Sequence, residues 1–511
     1  MACRGQDLQV ASEWEGLEAL SQRLDRLALC GRPGDLALID RQGTLDFAAL
    51  DKTVGALAAN LAERAAPGDR IASWLPKTRT ACLLVLACAR AGLVHVPINP
   101  LLKRAQVAHI LADSGARLLI TQPAREKLLE AGDLPDDCAI LFEEGLLDHS
   151  GPLPPSSGDT DALAALLYTS GSTGRPKGVM LSHANLWLGA IAVSHYLGVG
   201  PEDRTLAVLP LSFDAGLNQL LSTWAAGACA VPLDYLVAND VVRAVDRHGI
   251  TTLAGVPPLW IQLAEAKWPE EAAASLRILS ATGGRMPVPL VRRLRSLFPQ
   301  ASLTLMYGLT EAFRSTRLDP ALIDAHPESI GRAIPFAEVM VVRPDGSLAA
   351  DGEPGELVHA GPLVGQGYWR DPERTTARYR PAPMASKLGG TAVWSGDSVV
   401  RDAEGLLRFV GRDDEMIKVS GNRVSPTDIE EAAIASGAVS EAVAIGVPDE
   451  RLGQAIRLVV RGSGDEARLL THFKAELPTF QQPREVIWVD ELPRNPNGKL
   501  DRIAIAKAHG A

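Results

Sequence analysis

The chain has 511 residues, 46% of them hydrophobic and 46 of them glycine, enough for two or more domains with sizeable cores. Its 51 Lys and Arg against 61 Asp and Glu leave a formal charge of −10, which argues against general affinity for nucleic acid or anionic lipid. Six cysteines without Cys-x-x-Cys spacing predict neither a zinc site nor a disulfide framework, and they fit a reducing, cytoplasmic setting.

The opening residues Met1 to Val10 carry Arg4 and Asp7 and lack the apolar core of a signal peptide, so secretion is not expected. From Trp14 to about Leu61, apolar residues recur at helical spacing around a short hairpin, Leu36 to Leu45. Strands are expected at Asp69–Leu75, Gly92–Pro97 and Ala116–Thr121 with helical stretches between them, the alternation of a parallel α/β sheet. The most apolar long window, Ala81–Ile98, is broken by Arg90, His95 and Pro97; it reads as a buried helix and strand, and no integral membrane segment is expected. Leu134–Asp159, rich in Pro, Gly, Ser and acids, reads as a surface excursion.

The chain is organised around Leu167-Tyr-Thr-Ser-Gly-Ser-Thr-Gly-Arg-Pro-Lys177, where an apolar strand enters a hydroxyl- and glycine-rich loop and a second strand resumes at Val179. Gly171, Gly174 and Gly178 permit consecutive backbone N–H groups to point into one concavity, while Thr169, Ser170, Ser172 and Thr173 add hydroxyl donors. Lys177, aimed by Pro176, supplies a point charge suited to a polyphosphate. A Walker-type loop is excluded, because counting five from Gly171 lands on Pro176 and Lys177 is followed by Gly178. The bland alternative is a flexible Gly/Ser surface turn.

Beyond the clamp, strands are expected at Thr205–Leu209, Thr251–Val256, Ile278–Ser280 and Leu303–Tyr307, each preceded by a helix. A doubly wound sheet places ligands at the carboxyl ends of its strands, where Tyr307-Gly-Leu-Thr-Glu-Ala312 falls. Hairpin strands at Glu338–Gly346 and Gly355–Gly361 indicate a β subdomain, and Trp394-Ser-Gly-Asp397 follows, its Asp397 reading locally as a turn former. The polar run Gly411-Arg-Asp-Asp-Glu-Met-Ile-Lys418 marks a boundary between domains 1–411 and 412–511. Past it, a helix capped by Ser425 and strands at Glu441–Val447, Ile456–Val460 and Glu485–Val489 give a compact α+β module ending in Asn495-Pro-Asn-Gly-Lys499.

The clamp and the motifs after it resemble, in order and over essentially the whole chain, the AMP-forming acyl-CoA synthetase, amino-acid adenylation domain and firefly luciferase superfamily. Ala254–Leu263, Met306–Thr316 and Pro493–Gly498 resemble more narrowly the acyl-CoA ligases associated with exosortase-A systems, which implies a bacterial acyl-activating enzyme. The implied fold is α/β: a large N-terminal domain of doubly wound sheets with a β subdomain, plus a small mobile C-terminal α+β domain.

The resemblance implies roles residue by residue. Tyr307 offers a face to adenine, Gly283 and Gly284 form the adenine-side loop, Thr310 meets a phosphate, and Glu311 ligates Mg²⁺. Asp397 accepts the ribose hydroxyls, Arg412 contacts ribose and phosphate, Asp414 is the hinge, and Lys499 reaches the cleft for adenylation. Gly421 turns toward a thiol channel after adenylation. Arg285 and Asn422 depart from the family pattern. The implied acyl pocket includes Phe213, Asp214, Asn218 and Met306. Asp214 either pairs with a substrate ammonium, as in amino-acid adenylation domains, or with a protein donor, since a lone buried carboxylate is costly; the acyl-CoA ligase resemblance favours the donor. The implied reaction activates a carboxylic acid, here a fatty or other unaminated acid, with MgATP and transfers it to coenzyme A or a phosphopantetheine thiol on a separate carrier protein. A free-standing amino-acid adenylating enzyme and a non-catalytic nucleotide-binding regulator are the alternatives; the second requires loss of Lys499, Glu311 or the clamp, all of which are present.

Overall fold

The structure is a computed structural model that describes residues 16–169, 176–284, 286, 288–412, 416–424, 426–493, 500 and 502–510. Among these, four sheets account for the strands. A six-stranded sheet runs, in spatial order, Ala139–Phe142, Ala116–Thr121, Arg70–Ser73, Val94–Pro97, Leu163–Thr169 and Lys177–Ser182. All its pairings are parallel except the last, which is antiparallel and joins the strands on either side of residues 170–175. A nine-stranded sheet carries the parallel strands Ser302–Tyr307, Ile278–Ala281, Thr252–Gly255, Arg204–Ala207 and Cys229–Pro232 at its centre.

The expected helix and strand within Ala81–Ile98 are Arg79–Ala91 and Val94–Pro97. Thr78 caps this helix by accepting from the Ala81 N–H, and Gly92, at φ 71°, closes it in the left-handed conformation. Nearly every residue of the helix is buried, Arg90 included, its guanidinium paired with Asp25 and Asp51, so the helix belongs inside the molecule. One apolar cluster draws on this helix, on Phe47–Ala62, His183–Leu197 and Asp214–Ala225, and on strands of both large sheets. Burial of those faces welds the two sheets into a single body.

A five-stranded antiparallel sheet holds Glu338–Val342, Pro354–Ala360, Tyr379–Pro381, Thr391–Arg401 and Leu407–Arg412. The fourth sheet lies after residue 416 and holds Ile417–Val419, Asn422–Val424, Val439–Asp449, Gly453–Gly462 and Glu485–Trp488, with the helices Pro426–Ala435 and Glu466–Glu476. Its apolar clusters include no residue before Ile417.

Two expectations change. The excursion 134–159 contains a strand, Ala139–Phe142, which adds to the sheet edge beside Ala116–Thr121; four residues beside Pro and acids carry too little periodicity to be seen. Asp397 is not in a turn. It sits inside the 11-residue strand Thr391–Arg401, where Gly396, at φ 65°, lies at a register shift against Pro354–Ala360. A bulge there re-aims the next side chain, and the Ser-Gly-Asp sequence that suggests a turn is the local signature of that bulge.

Candidate active site

Thr169 and Lys177 face each other at the ends of their antiparallel strands, so the clamp loop leaves and re-enters the sheet at one point. Ser170, Gly171, Ser172, Thr173 and Gly174 lie outside the described residues, as do Asp414 and Lys499. Lys177 Nζ donates to the Tyr368 hydroxyl at 2.6 Å and stands 3.5 Å from the Glu311 carboxylate. Tyr368 in turn donates to Glu311 Oε1 at 2.7 Å. The ammonium also lies 4.0 Å from the centroid of the Tyr368 ring, a cation–π contact. Burial, reinforced by the charge of Glu311, pushes the Tyr368 phenol far above its ordinary pKa, so it remains a proton donor to the carboxylate.

Sequence reasoning did not find Tyr368. It arrives on the segment Gly365-Gln-Gly-Tyr-Trp369, which lies along the strand Lys177–Ser182 as an added edge: Gln366 N–H donates to the Met180 carbonyl, Met180 N–H to Gly367, and Trp369 N–H to Gly178. Gly365 N–H donates to the carbonyl of Glu311 at 2.8 Å, which ties this segment to the turn that follows Tyr307. Gly367, at φ 113°, has no room for a side chain, since a Cβ would lie 2.6 Å from the methyl of Thr375. Two glycines leading into two aromatics were the available signal.

Tyr307 ends its strand and donates its hydroxyl to Asp397 Oδ2 at 2.5 Å. Asp397 is 1% exposed and is paired across the sheet with Arg412, of which only the backbone is described. Thr310 and Glu311 occupy a 3₁₀ turn directly after the strand, and Gly283, at φ 78°, with Gly284 forms the facing wall. Tyr307, Thr310, Asp397, Gly283 and Gly284 all line one cavity of about 1790 Å³.

Phe213, Asp214 and Met306 line the same cavity, while Asn218 is buried one turn along the helix Asp214–Ala225 and is not on the cavity wall. Asp214 has a protein partner: Arg314 Nη1 donates to its Oδ2, and Thr310 Oγ1 donates to its Oδ1 at 3.3 Å. Arg314 is 100 positions away, and neither end of the pair is recognisable from local sequence.

Gly421 enters from the fourth sheet. At φ 80° it packs so closely on Val256 that a Cβ would lie 2.6 Å from Val256 Cγ1, and its carbonyl faces Gly283. The cavity is thus walled by both the large sheets and the fourth sheet, with Lys418, Ser420 and Gln454 on the latter side.

The family model of AMP-binding enzymes matches residues 27–369, and the model of their C-terminal domain matches residues 428–499. The chain belongs to the AMP-binding enzyme family. Among relatives of this AMP-binding enzyme, feruloyl-CoA synthase from an Amycolatopsis species is 32% identical over 477 residues, covering 91% of this chain and 94% of that one. An L-proline–[L-prolyl-carrier protein] ligase from Pseudomonas fluorescens is 30% identical over 502 residues, covering 94% and 97%. The structure of an o-succinylbenzoate CoA synthetase from Bacillus subtilis bound to a CoA product analogue superposes with a TM-score of 0.84 at 26% identity, covering 96% of this chain and 99% of that one. The AMP-binding enzyme described here is therefore an adenylate-forming ligase of the acyl-CoA synthetase superfamily, in the class whose members join acids to CoA or to a carrier protein. No helix among its described residues is long and apolar enough to cross a membrane.

Proposed function

We propose that this AMP-binding enzyme activates an unaminated carboxylic acid with ATP and transfers the acyl group to coenzyme A. In the first half-reaction the carboxylate oxygen bonds to the α-phosphorus of ATP and the bond to the β-phosphate oxygen breaks, releasing pyrophosphate. In the second, the thiol sulfur bonds to the acyl carbon, AMP leaves with the bonding electrons, and the thiol proton passes to solvent. Positioning and charge stabilisation dominate such transfers. Lys177 and the clamp hold the departing pyrophosphate, Asp397 accepts the ribose hydroxyls with Tyr307 fixing its orientation, and Lys499 bridges the carboxylate and the α-phosphate.

Magnesium usually keeps several waters and needs only one or two carboxylates beside the phosphates; Glu311 is of the right donor type, and it would serve by exchanging its Lys177 contact for the metal. Bound there, Mg²⁺ supplies neutralisation of phosphate charge. We also place the domain boundary at 411/412 with Asp414 as the hinge, a reading supported by the fourth sheet's own core.

The observation that carries the choice of acid is the Arg314–Asp214 pair. A carboxylate already neutralised by a buried guanidinium gives a substrate ammonium no vacant charge, and that ammonium would meet Arg314 as a like charge. ATP–pyrophosphate exchange against a panel of fatty, hydroxy, aromatic and amino acids tests the reading, followed by CoA consumption with the best acid. Exchange by unaminated acids is expected; exchange confined to amino acids would overturn it.

A further inference from the structure

Arg314 lines the cavity and is 4% exposed, yet its ion pair with Asp214 uses one corner of the guanidinium. Both of its hydrogen bonds leave from Nη1, one to Asp214 and one to the Phe313 carbonyl at 3.3 Å. Nε is buried and has no hydrogen-bond partner among the described residues, and the same holds for the hydroxyl of Ser212, which lines the same cavity. Nε and the Ser212 hydroxyl are themselves shut off by burial, so the donor left to meet a ligand is Nη2, which makes no hydrogen bond to a described residue; an unmade guanidinium corner on a cavity wall points to an acceptor that arrives with the ligand.

The backbone is arranged to present this edge. Phe313 has φ 59° and ψ −93°, a conformation an aromatic residue rarely adopts. It is held there by packing: a Cβ at Gly189 would lie 2.5 Å from the Phe313 ring, so the helix His183–Leu197 must be bare at that point to receive it. Gly308 is equally constrained, since a Cβ there would fall 2.8 Å from Arg314 Cα. Two glycines and one strained residue thus fix where the guanidinium sits.

The position of the cluster limits which substrate atom can reach it. Thr310 bonds to Asp214, lines the cavity, and by resemblance meets a phosphate of ATP. An acceptor meeting Arg314 is therefore attached close to the reacting carboxylate. A second carboxylate would add negative charge to a buried pair that is already balanced, whereas an uncharged oxygen completes the hydrogen bonds without it.

We infer that the acid bears a hydroxyl or carbonyl oxygen at its second or third carbon, and that Arg314 selects for it. This deepens the proposed function and rests on its reading of Asp214 as already paired. The test compares pyrophosphate exchange for octanoate, 2-hydroxy-, 2-oxo- and 3-hydroxyoctanoate, and 2-aminooctanoate. One or more of the oxygenated acids should exceed octanoate in kcat/KM by about tenfold or more, because a site built to hydrogen-bond an oxygen is left with unpaired donors by its deoxy analogue. Arg314→Gln should bring that ratio toward one. Where the single variant does not fold, the double variant Asp214→Asn with Arg314→Gln removes both charges together and should show the same collapse. Thermal protection by each acid in the presence of a non-hydrolysable ATP analogue reads binding apart from turnover and should follow the same order. Equal kcat/KM for octanoate and every oxygenated acid, or a ratio unchanged in both variants, would overturn this inference while leaving the proposed function standing. Exchange by 2-aminooctanoate alone would overturn both.

Discussion

At the scale of single residues, the hydroxyl of Tyr368 is the junction between the Lys177 ammonium and the Glu311 carboxylate. Tyr368→Phe keeps the ring and its edge-on contact with Tyr379 but removes both hydrogen bonds. Adenylation measured by pyrophosphate exchange should fall by about tenfold or more and the melting temperature should fall with it, since bonds to charged groups contribute roughly 1.5–3 kcal/mol each and Glu311 is buried. Exchange at the wild-type rate would remove the role. Lys499→Ala should cost adenylation on the order of 3 kcal/mol, about a hundredfold, and spare thioester formation from supplied acyl-AMP. Comparable loss in both half-reactions would show that Lys499 is needed for something other than the α-phosphate. These residues differ in how they could be recognised. Lys177, Tyr307, Thr310, Glu311 and Asp397 stand in compact motifs; Tyr307, Thr310 and Asp397 line one cavity, whereas Lys177 and Glu311 pair with each other and are not on its wall. Tyr368 and Arg314 were illegible because each acts on a partner 57 or 100 positions away, and nothing in local spacing encodes that contact.

Among the elements, the parallel strands were the most legible, because buried strands between helices read as short, continuous apolar runs; Ala116–Thr121 was located to the residue. The long strand Thr391–Arg401 was not legible, since its bulge interrupts the alternation that identifies an antiparallel strand. The hairpin of Ile417–Val419 and Asn422–Val424 carries Gly421 at its tip against Val256. Gly421→Val should strain the left-handed backbone and push a side chain into Val256, so the hairpin no longer seats on the cleft. Thioester formation from supplied acyl-AMP is expected to drop at least tenfold, with pyrophosphate exchange close to wild type. A variant that lost exchange first would place Gly421 in the other half-reaction.

For the whole molecule, the cavity wall is completed by residues of the fourth sheet, so the orientation of that sheet decides what the cleft can do. If Asp414 absorbs a rotation, Asp414→Pro fixes its φ and should leave one half-reaction active and the other impaired. Matched losses in separately assayed half-reactions would argue against a hinge at this position.

The separate apolar clusters of the fourth sheet carry a consequence for how the protein comes apart. The two large sheets share one cluster and must melt together, whereas the residues after 416 keep theirs to themselves. Cooperativity follows shared burial, so heating should reveal two calorimetric transitions, the smaller belonging to the last hundred or so residues. A protease present between those two temperatures would trim the chain near residue 412 and leave a folded remnant with its six-stranded and nine-stranded sheets intact. A single transition would mean that the contacts across the cleft, such as the Gln106–Gln481 side-chain bond, couple the two parts more strongly than their cores suggest.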